Sequence, residues 1–522
     1  MTRTVIKLAA TLVMLHVCSL SALAGDIKSS GVKGNWSSPS TWVGGVLPTA
    51  TDNVIIADGD SVTLDKGPVS IAGLVIGEGA AARLRFSTTE SVKLTVNGNV
   101  LVSASAAFVV ASSSGVPGGN LVDTLVITGN LTNQGTLDFR AGTSIISLTA
   151  CNVFFTGSSN SVVTVGEFRK SPDNNEFSGI TINKSGTARV ILQSDVVAPG
   201  GSSSITTPGG NPYIIFVRGL VEARNGALVA VWTDALSMQG ASDSSYVIGY
   251  AGRALSNTGT ATRDFPIGDD RGYRPVRIRN ASVGGATGHY VRVGAIGGNA
   301  NTGSSTLAGG IGKVSAVRYY RVSYHVKGTT SGAPQMTLDK YTLSYGLNDG
   351  VAAGNQNLRV ALADSLRSTW TGAGPSTPYT TSLDSLPRLF TSDSTARTLL
   401  NGGASIHAAL ARVAGTSENS LEGSPSSVER VSDIPQTFAL EQNYPNPFNP
   451  STTLEFSIPK SGHALLEVFN VRGQPVARLV DSELPAGTYR TAFDASKLSS
   501  GVYLYRLQAG GFVLARKMVL VK

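Results

Sequence analysis

A repeat with an offset of 31 residues constrains this chain more than any other feature. Leu94-Thr-Val-Asn-Gly-Asn-Val and Leu125-Val-Ile-Thr-Gly-Asn-Leu align at that offset. The same offset sets Gly98 against Gly129, Asn99 against Asn130 and Phe108 against Phe139. Looser copies begin at Leu74-Val-Ile-Gly and Ile180-Thr-Ile-Asn. Each copy alternates apolar and polar positions, then reaches a Gly or Asn that tolerates a left-handed turn. A strand-turn unit that buries a single stripe must stack on its neighbours to close a core. Residues 25–200 are therefore expected to form a parallel β-helix, with a β-sandwich of two similar hairpins as the alternative.

Composition supports an all-β chain. Of 522 residues, 60 are Gly and only 15% are charged. That is too Gly-rich for a helical protein and too poor in charge for a disordered one. The length predicts about three domains.

Met1 to Ala24 reads as a signal peptide. Arg3 and Lys7 precede an apolar run from Leu8 to Leu20, and Ala22-Leu-Ala24 offers a small-x-small cleavage site. No second apolar run of spanning length follows, so no transmembrane span is expected. Cys18 would leave with the leader, and Cys151 then has no partner for a disulfide. The formal charge of +8 favours anionic partners, and an exported chain points to acidic glycans before nucleic acid.

Gly34-Asn-Trp36 to Pro48, followed by Asp52-Asn-Val-Ile-Ile, resembles the opening module of bacterial surface proteins that carry β-helix repeats. Trp36 and Trp42 are expected to cap the end of the core, with sugar stacking as the alternative role. Residues 201–415 lose the repeat but keep strand-like runs, such as Val317-Arg-Tyr-Tyr-Arg-Val-Ser-Tyr-His-Val. They are expected to form one or two antiparallel sandwich-like domains. Residues 416–434 are rich in Ser, Glu, Gly and Pro and read as a linker.

Residues 435–522 stand apart. Asn443-Tyr-Pro-Asn-Pro-Phe-Asn-Pro450 contains three prolines within six residues, which no helix or central strand accommodates. Short alternating strands follow, with Gly-x-Tyr at Gly487-Thr-Tyr489 and Gly501-Val-Tyr503. This pattern reads as an immunoglobulin-like sandwich. Together with Leu484-Pro-Ala-Gly-Thr-Tyr, Leu498-Ser-Ser-Gly-Val-Tyr-Leu-Tyr and Lys517-Met-Val, it resembles the type A C-terminal sorting domain of type IX secretion substrates. The resemblance implies passage through the periplasm, recognition by the type IX translocon, and attachment to anionic surface lipopolysaccharide or release. It also implies that Gly501, Val502, Tyr503, Lys517, Met518 and Val519 carry the sorting signal.

The passenger offers little chemistry. Nucleophile-elbow, zincin, phosphate-loop and Cys-x-x-Cys motifs are missing. His289, His325, His407 and His463 are scattered, and Asp52, Asp58 and Asp60 are too few for a convincing calcium loop. Asp269-Asp270 reads as a turn. No cofactor and no metal are expected. Arg274, Arg277, Arg279 and Arg292 form the best basic cluster, a possible glycan contact, because Arg277 and Arg279 share a strand face. The sequence thus predicts a secreted or cell-surface structural or adhesive protein, with a polysaccharide lyase or hydrolase on a β-helix as the alternative.

Overall fold

A computed structural model describes residues 25–521, apart from 32, 111–120, 142–148, 167–174, 199–212, 231–237, 255–259, 284–288, 327–334, 346–348, 352–356, 375–387, 393–397, 402–403, 418–419, 423–428, 433–436, 461 and 485–486. Met1–Ala24, expected to be a signal peptide, lies outside the described residues. Strands make up 63% of the structure, and no α-helix occurs among the described residues. No helix among the described residues is long and apolar enough to cross a membrane.

The N-terminal region is a β-solenoid with three parallel sheets. The first sheet stacks Asp26–Lys28, Asn53–Ile56, Gly73–Ile76, Val100–Val102, Leu131–Asn133, Ser161–Thr164 and Arg189–Leu192. The second stacks Lys33–Asn35, Ser61–Leu64, Arg83–Phe86, Ala107–Val109, Thr136–Asp138 and Asn175–Glu176. The third runs from Val69–Ile71 through Lys93–Val96, Leu121–Ile127, Thr149–Gly157 and Gly179–Lys184 to Tyr213–Arg218. From Asn53–Ile56 to Gly179–Lys184 the chain order cycles through the three, so each of these coils lays a strand on each sheet.

Alternation explains why these segments fold this way. In Ser61–Leu64 and Arg83–Phe86, Val62, Leu64, Leu84 and Phe86 are fully buried while their neighbours face out. Burying each such side chain contributes about 1.5–3 kcal/mol. Inside, Phe86, Phe108, Phe139 and Phe177 form a ladder with centroid spacings of 5.4, 5.0 and 6.1 Å. Leu94 pairs with Leu125 as the 31-residue offset requires. Phe108, however, pairs in register with Leu137 and meets Phe139 only edge-on, because the coil is two residues shorter there. At the corners, Asn99 Oδ1 accepts from Asn130 N and Asn130 Oδ1 accepts from Val162 N, tying each turn to the next. The buried Lys184 ammonium donates to Thr128 O, Thr156 O and Ser159 O, and so bridges neighbouring turns of the solenoid.

Parallel pairing continues beyond residue 200, through Leu220–Ala230 and Val247–Arg253 to Ile267–Asp269. Val247–Arg253 is the junction, for it also pairs antiparallel with His289–Gly297. From there an antiparallel sheet adds Arg318–Val326, Ser405–Val413, Leu358–Ala363 and Thr369–Gly372. A second antiparallel sheet comprises Ala261–Phe265, Val276–Val283, Gln335–Tyr345, Arg388–Thr391 and Thr398–Asn401. One apolar core runs continuously from Trp36 to Leu421. Leu421 is fully buried, so the chain stays part of this body up to there.

The C-terminal region has its own core. One antiparallel sheet holds Glu429–Ser432, Gly487–Asp494, Ser451–Ile458 and Ala439–Leu440. The facing sheet holds Pro475–Leu484, Gly462–Asn470, Gly501–Ala509 and Phe512–Leu520. Leu454, Phe456 and Ile458 from the first meet Leu466, Tyr505 and Met518 from the second.

Candidate functional site

The C-terminal sandwich joins its two motifs in one hairpin. Val502 pairs with Val519, Tyr503 with Met518 and Leu504 with Lys517. Residues two apart share a face. Tyr503 and Met518 therefore point inward and are buried, and the Tyr503 hydroxyl donates to Ser499 O at 2.8 Å. Val502 and Leu504 point outward and are 40% and 43% exposed, beside exposed Lys517 and half-buried Val519. Gly501 opens the strand at φ +154°, with nothing near its Cβ position. The six residues are thus adjacent, but only Val502, Lys517 and Val519 present side chains on the outer face. The sequence reading missed Leu504 and Val513, which extend this apolar strip, although alternation from Tyr503 and Tyr505 would have assigned Leu504 outward.

The proline segment laces onto the same last strand. Phe448 N donates to Val519 O and Val521 N donates to Phe448 O, both at 2.9 Å. Asn446 Oδ1 accepts from Val519 N at 2.9 Å. Asn443 N donates to the Tyr505 hydroxyl at 2.8 Å, and that hydroxyl donates to Glu441 O. Further along the outer face, Glu467 sits between Arg478 and Arg506, each at 3.3 Å, and Arg506 covers the Phe469 ring at 4.6 Å.

The arginines of the middle region are dispersed. Arg277 and Arg279 do share an outward face of Val276–Val283, but each guanidinium is already forked onto a carboxylate. Arg277 donates to both oxygens of Asp264 at 2.6 and 3.1 Å, and Arg279 to both of Asp339 at 2.9 and 2.7 Å. These bonds hold both guanidinium pKa values above the ordinary arginine value. Arg274 is buried and donates to Asp349 at 2.9 Å. Arg292 lies on another strand, 3.6 Å from Asp195 and over the Tyr250 ring.

Asp269 and Asp270 have separate fates. Buried Asp269 accepts two bonds from buried Arg318 at 3.0 Å, while Arg318 also donates to Asp349 at 2.6 Å. Burial alone would lower the Arg318 pKa, but Asp349 and Asp269 outweigh it and raise it. Asp270 is exposed and takes both bonds of Arg224 at 2.8 and 2.7 Å.

The remaining polar candidates serve the fold. Trp36 and Trp42 are 4% and 2% exposed and meet edge-on at 4.8 Å, so they close the core and cannot stack on a sugar. Asp52 caps Thr49, Asp58 accepts from Glu78 N, and Asp60 accepts from Ser29 Oγ and Gly31 N. His325 stacks on Tyr290, His407 bonds Asp364 O, and His463 pairs with Asp481. Burial lowers the His407 pKa and pushes the Cys151 thiol up, opposite to what a reactive thiol requires. The side chain of His289 lies outside the described residues. Asp123 faces the interior opposite Cys151, where burial pushes it up to about 7 despite a bond from Val92 N.

Comparison with known proteins adds two domain matches. Residues 442–522 match the secretion system C-terminal sorting domain, and residues 41–164 match the G8 domain. No curated protein and no solved structure matches the chain. The first match makes this chain a type IX secretion substrate carrying its sorting signal, bound for export to the surface or the medium.

Proposed function

We propose that this is a structural or adhesive surface protein. Its solenoid is the exported passenger, and its C-terminal sandwich is read by the type IX translocon. The observation that carries this reading is the paired hairpin 501–520, which brings the Gly-Val-Tyr and Lys-Met-Val segments onto adjacent strands beside an uncovered apolar strip. Gly501, Tyr503 and Met518 shape the hairpin, while Val502, Lys517 and Val519 offer the contact surface. Residues 1–24 act as the leader into the periplasm, and the two-sheet C-terminal domain is immunoglobulin-like. After export the passenger is held on anionic lipopolysaccharide or set free.

The adhesive role draws support from how the passenger uses its polar groups. Asp52, Asp58 and Asp60 cap turns, and Asp264, Asp269, Asp270, Asp339 and Asp349 are matched to arginines. A glycosidase needs two open carboxylates set across a sugar, and these carboxylates are already engaged. The test is cell fractionation of the full chain beside a chain ending at Glu422. That end point keeps Leu421 in the passenger core and removes Glu429–Ser432, which pairs with the sorting domain. Surface or medium signal from the full chain alone supports the reading. Equal export of both versions overturns it.

A further inference from the structure

Arg274, Arg277, Arg279 and Arg318 of the middle region are paired with carboxylates, but three cations near the N-terminus are not. Lys33 pairs in register with Ser61, and Ser61 with Arg83; Asn35 pairs with Thr63, and Thr63 with Arg85. Val62, Leu64, Leu84 and Phe86 fill the interior, so Ser61, Thr63, Arg83 and Arg85 must face out. Lys33, Asn35, Arg83 and Arg85 are exposed. Lys33 and Arg83 are two strand spacings apart, about 10 Å, and Arg83 and Arg85 are about 7 Å apart along one strand.

None of these three cations enters an ion pair among the described residues. Arg85 Nε donates to Thr63 Oγ1 at 3.0 Å, which lays its guanidinium along the sheet with both terminal amino groups open. Two acids lie on this face: Asp65, the next outward position after Thr63, already accepts from Ser37 N and Oγ at 2.9 and 2.5 Å, and half-buried Asp138 lies two strands beyond Arg85, past Val109. Burial raises its pKa, with the Arg83 charge only partly offsetting that effect.

We propose that this face, formed by Lys33, Ser61, Thr63, Arg83, Arg85 and Asn35, binds an acidic polysaccharide whose carboxylates sit on the guanidinium forks. The proposal rests on the reading of the chain as a surface protein and names the ligand class. The chemistry selects a glycan. Guanidinium planes match carboxylates bidentately, and the hydroxyls of Ser61 and Thr63 with the amide of Asn35 supply partners for sugar hydroxyls. A single-stranded nucleic acid would need aromatic platforms for its bases, and these six positions contain none. The three strands stack in parallel with these side chains on one face, so an extended polymer can lie across them.

The experiment is equilibrium binding of the full chain to polygalacturonate, with neutral dextran and single-stranded DNA as comparators. The chain should bind polygalacturonate and not dextran, and the binding should weaken with added salt. Arg83→Ser with Arg85→Ser should weaken it by about tenfold or more. Arg277→Ser should leave it within about twofold, because that fork is held by Asp264. All three side chains are exposed, and an unchanged unfolding midpoint confirms that each variant is folded. Polygalacturonate held no better than dextran would overturn the proposal. So would equal loss in both variants, or tighter binding of DNA that the double variant abolishes. If the full chain is exported but ignores polygalacturonate, the ligand assignment fails while the surface role stands.

Discussion

On the solenoid, the outward positions of Ser61–Leu64 and Arg83–Phe86 are Ser61, Thr63, Arg83 and Arg85. On the sandwich, the outward positions of the last hairpin include Val502, Leu504 and Val513. In Ser61–Leu64, Arg83–Phe86 and Gly501–Ala509 inward and outward positions alternate, and the inward apolar residues are buried. The solenoid then gives its outer face to water, whereas the sandwich keeps an apolar strip there. A strand interior explains its inward residues by packing alone, but an uncovered apolar strip on a folded domain marks a surface that something else covers. The contrast leaves an apolar contact surface on the C-terminal domain and a polar one on the passenger.

The comparison breaks first at the cores. Phe108→Ala removes the middle of the aromatic ladder and should cost the solenoid about 3–5 kcal/mol. Because the two cores are separate, calorimetry or denaturant unfolding should show the passenger transition falling and the C-terminal transition unmoved. Arg318→Leu should approach the same size, about 3–5 kcal/mol, since it strands Asp269 and Asp349 as buried, less compensated charges. Arg277→Ser, an exposed pair, should change stability by less than about 1 kcal/mol.

A pH-dependent effect sharpens the account of the interior. Asp123 is raised in the fold to about 7 from an ordinary 3.8, so the folded chain holds its proton more tightly than the unfolded chain does. Its contribution is most favourable below the unfolded value and is lost progressively as pH rises from there through about 7. Asp123→Asn should therefore gain stability over wild type by up to about 4 kcal/mol at pH 8 and show little gain at pH 4. Unfolding midpoints at the two pH values check this. The strip should contribute as little as Arg277 does: Val502→Asp with Leu504→Asp should cost the C-terminal transition about 1 kcal/mol or less.

How far the sequence reveals this depends on how local each feature is. Leu94 against Leu125 was legible because one coil separates them and alternation fixes the face. Phe108 against Phe139 misread the register by two residues, since the repeat length varies with the turn and no periodicity reports that. The shared outward face of Arg277 and Arg279 was equally legible. Their partners were not: Asp339 is 60 residues from Arg279 and Asp349 is 75 from Arg274, and only the topology brings them together. The converse holds for Arg83 and Arg85, whose lack of an ion pair among the described residues emerges only when the neighbouring strands are in place. The sorting motifs were legible as motifs, while their pairing as Val502 with Val519 shows which of their side chains face out.

The most direct test of the central claim is the surface fraction of the Val502→Asp, Leu504→Asp double variant of the full chain, measured beside wild type with an unfolding curve for each. The account predicts an intact C-terminal transition with the chain retained inside the cell. Wild-type surface signal from this folded variant would contradict it, because the strip would then be exposed without being read.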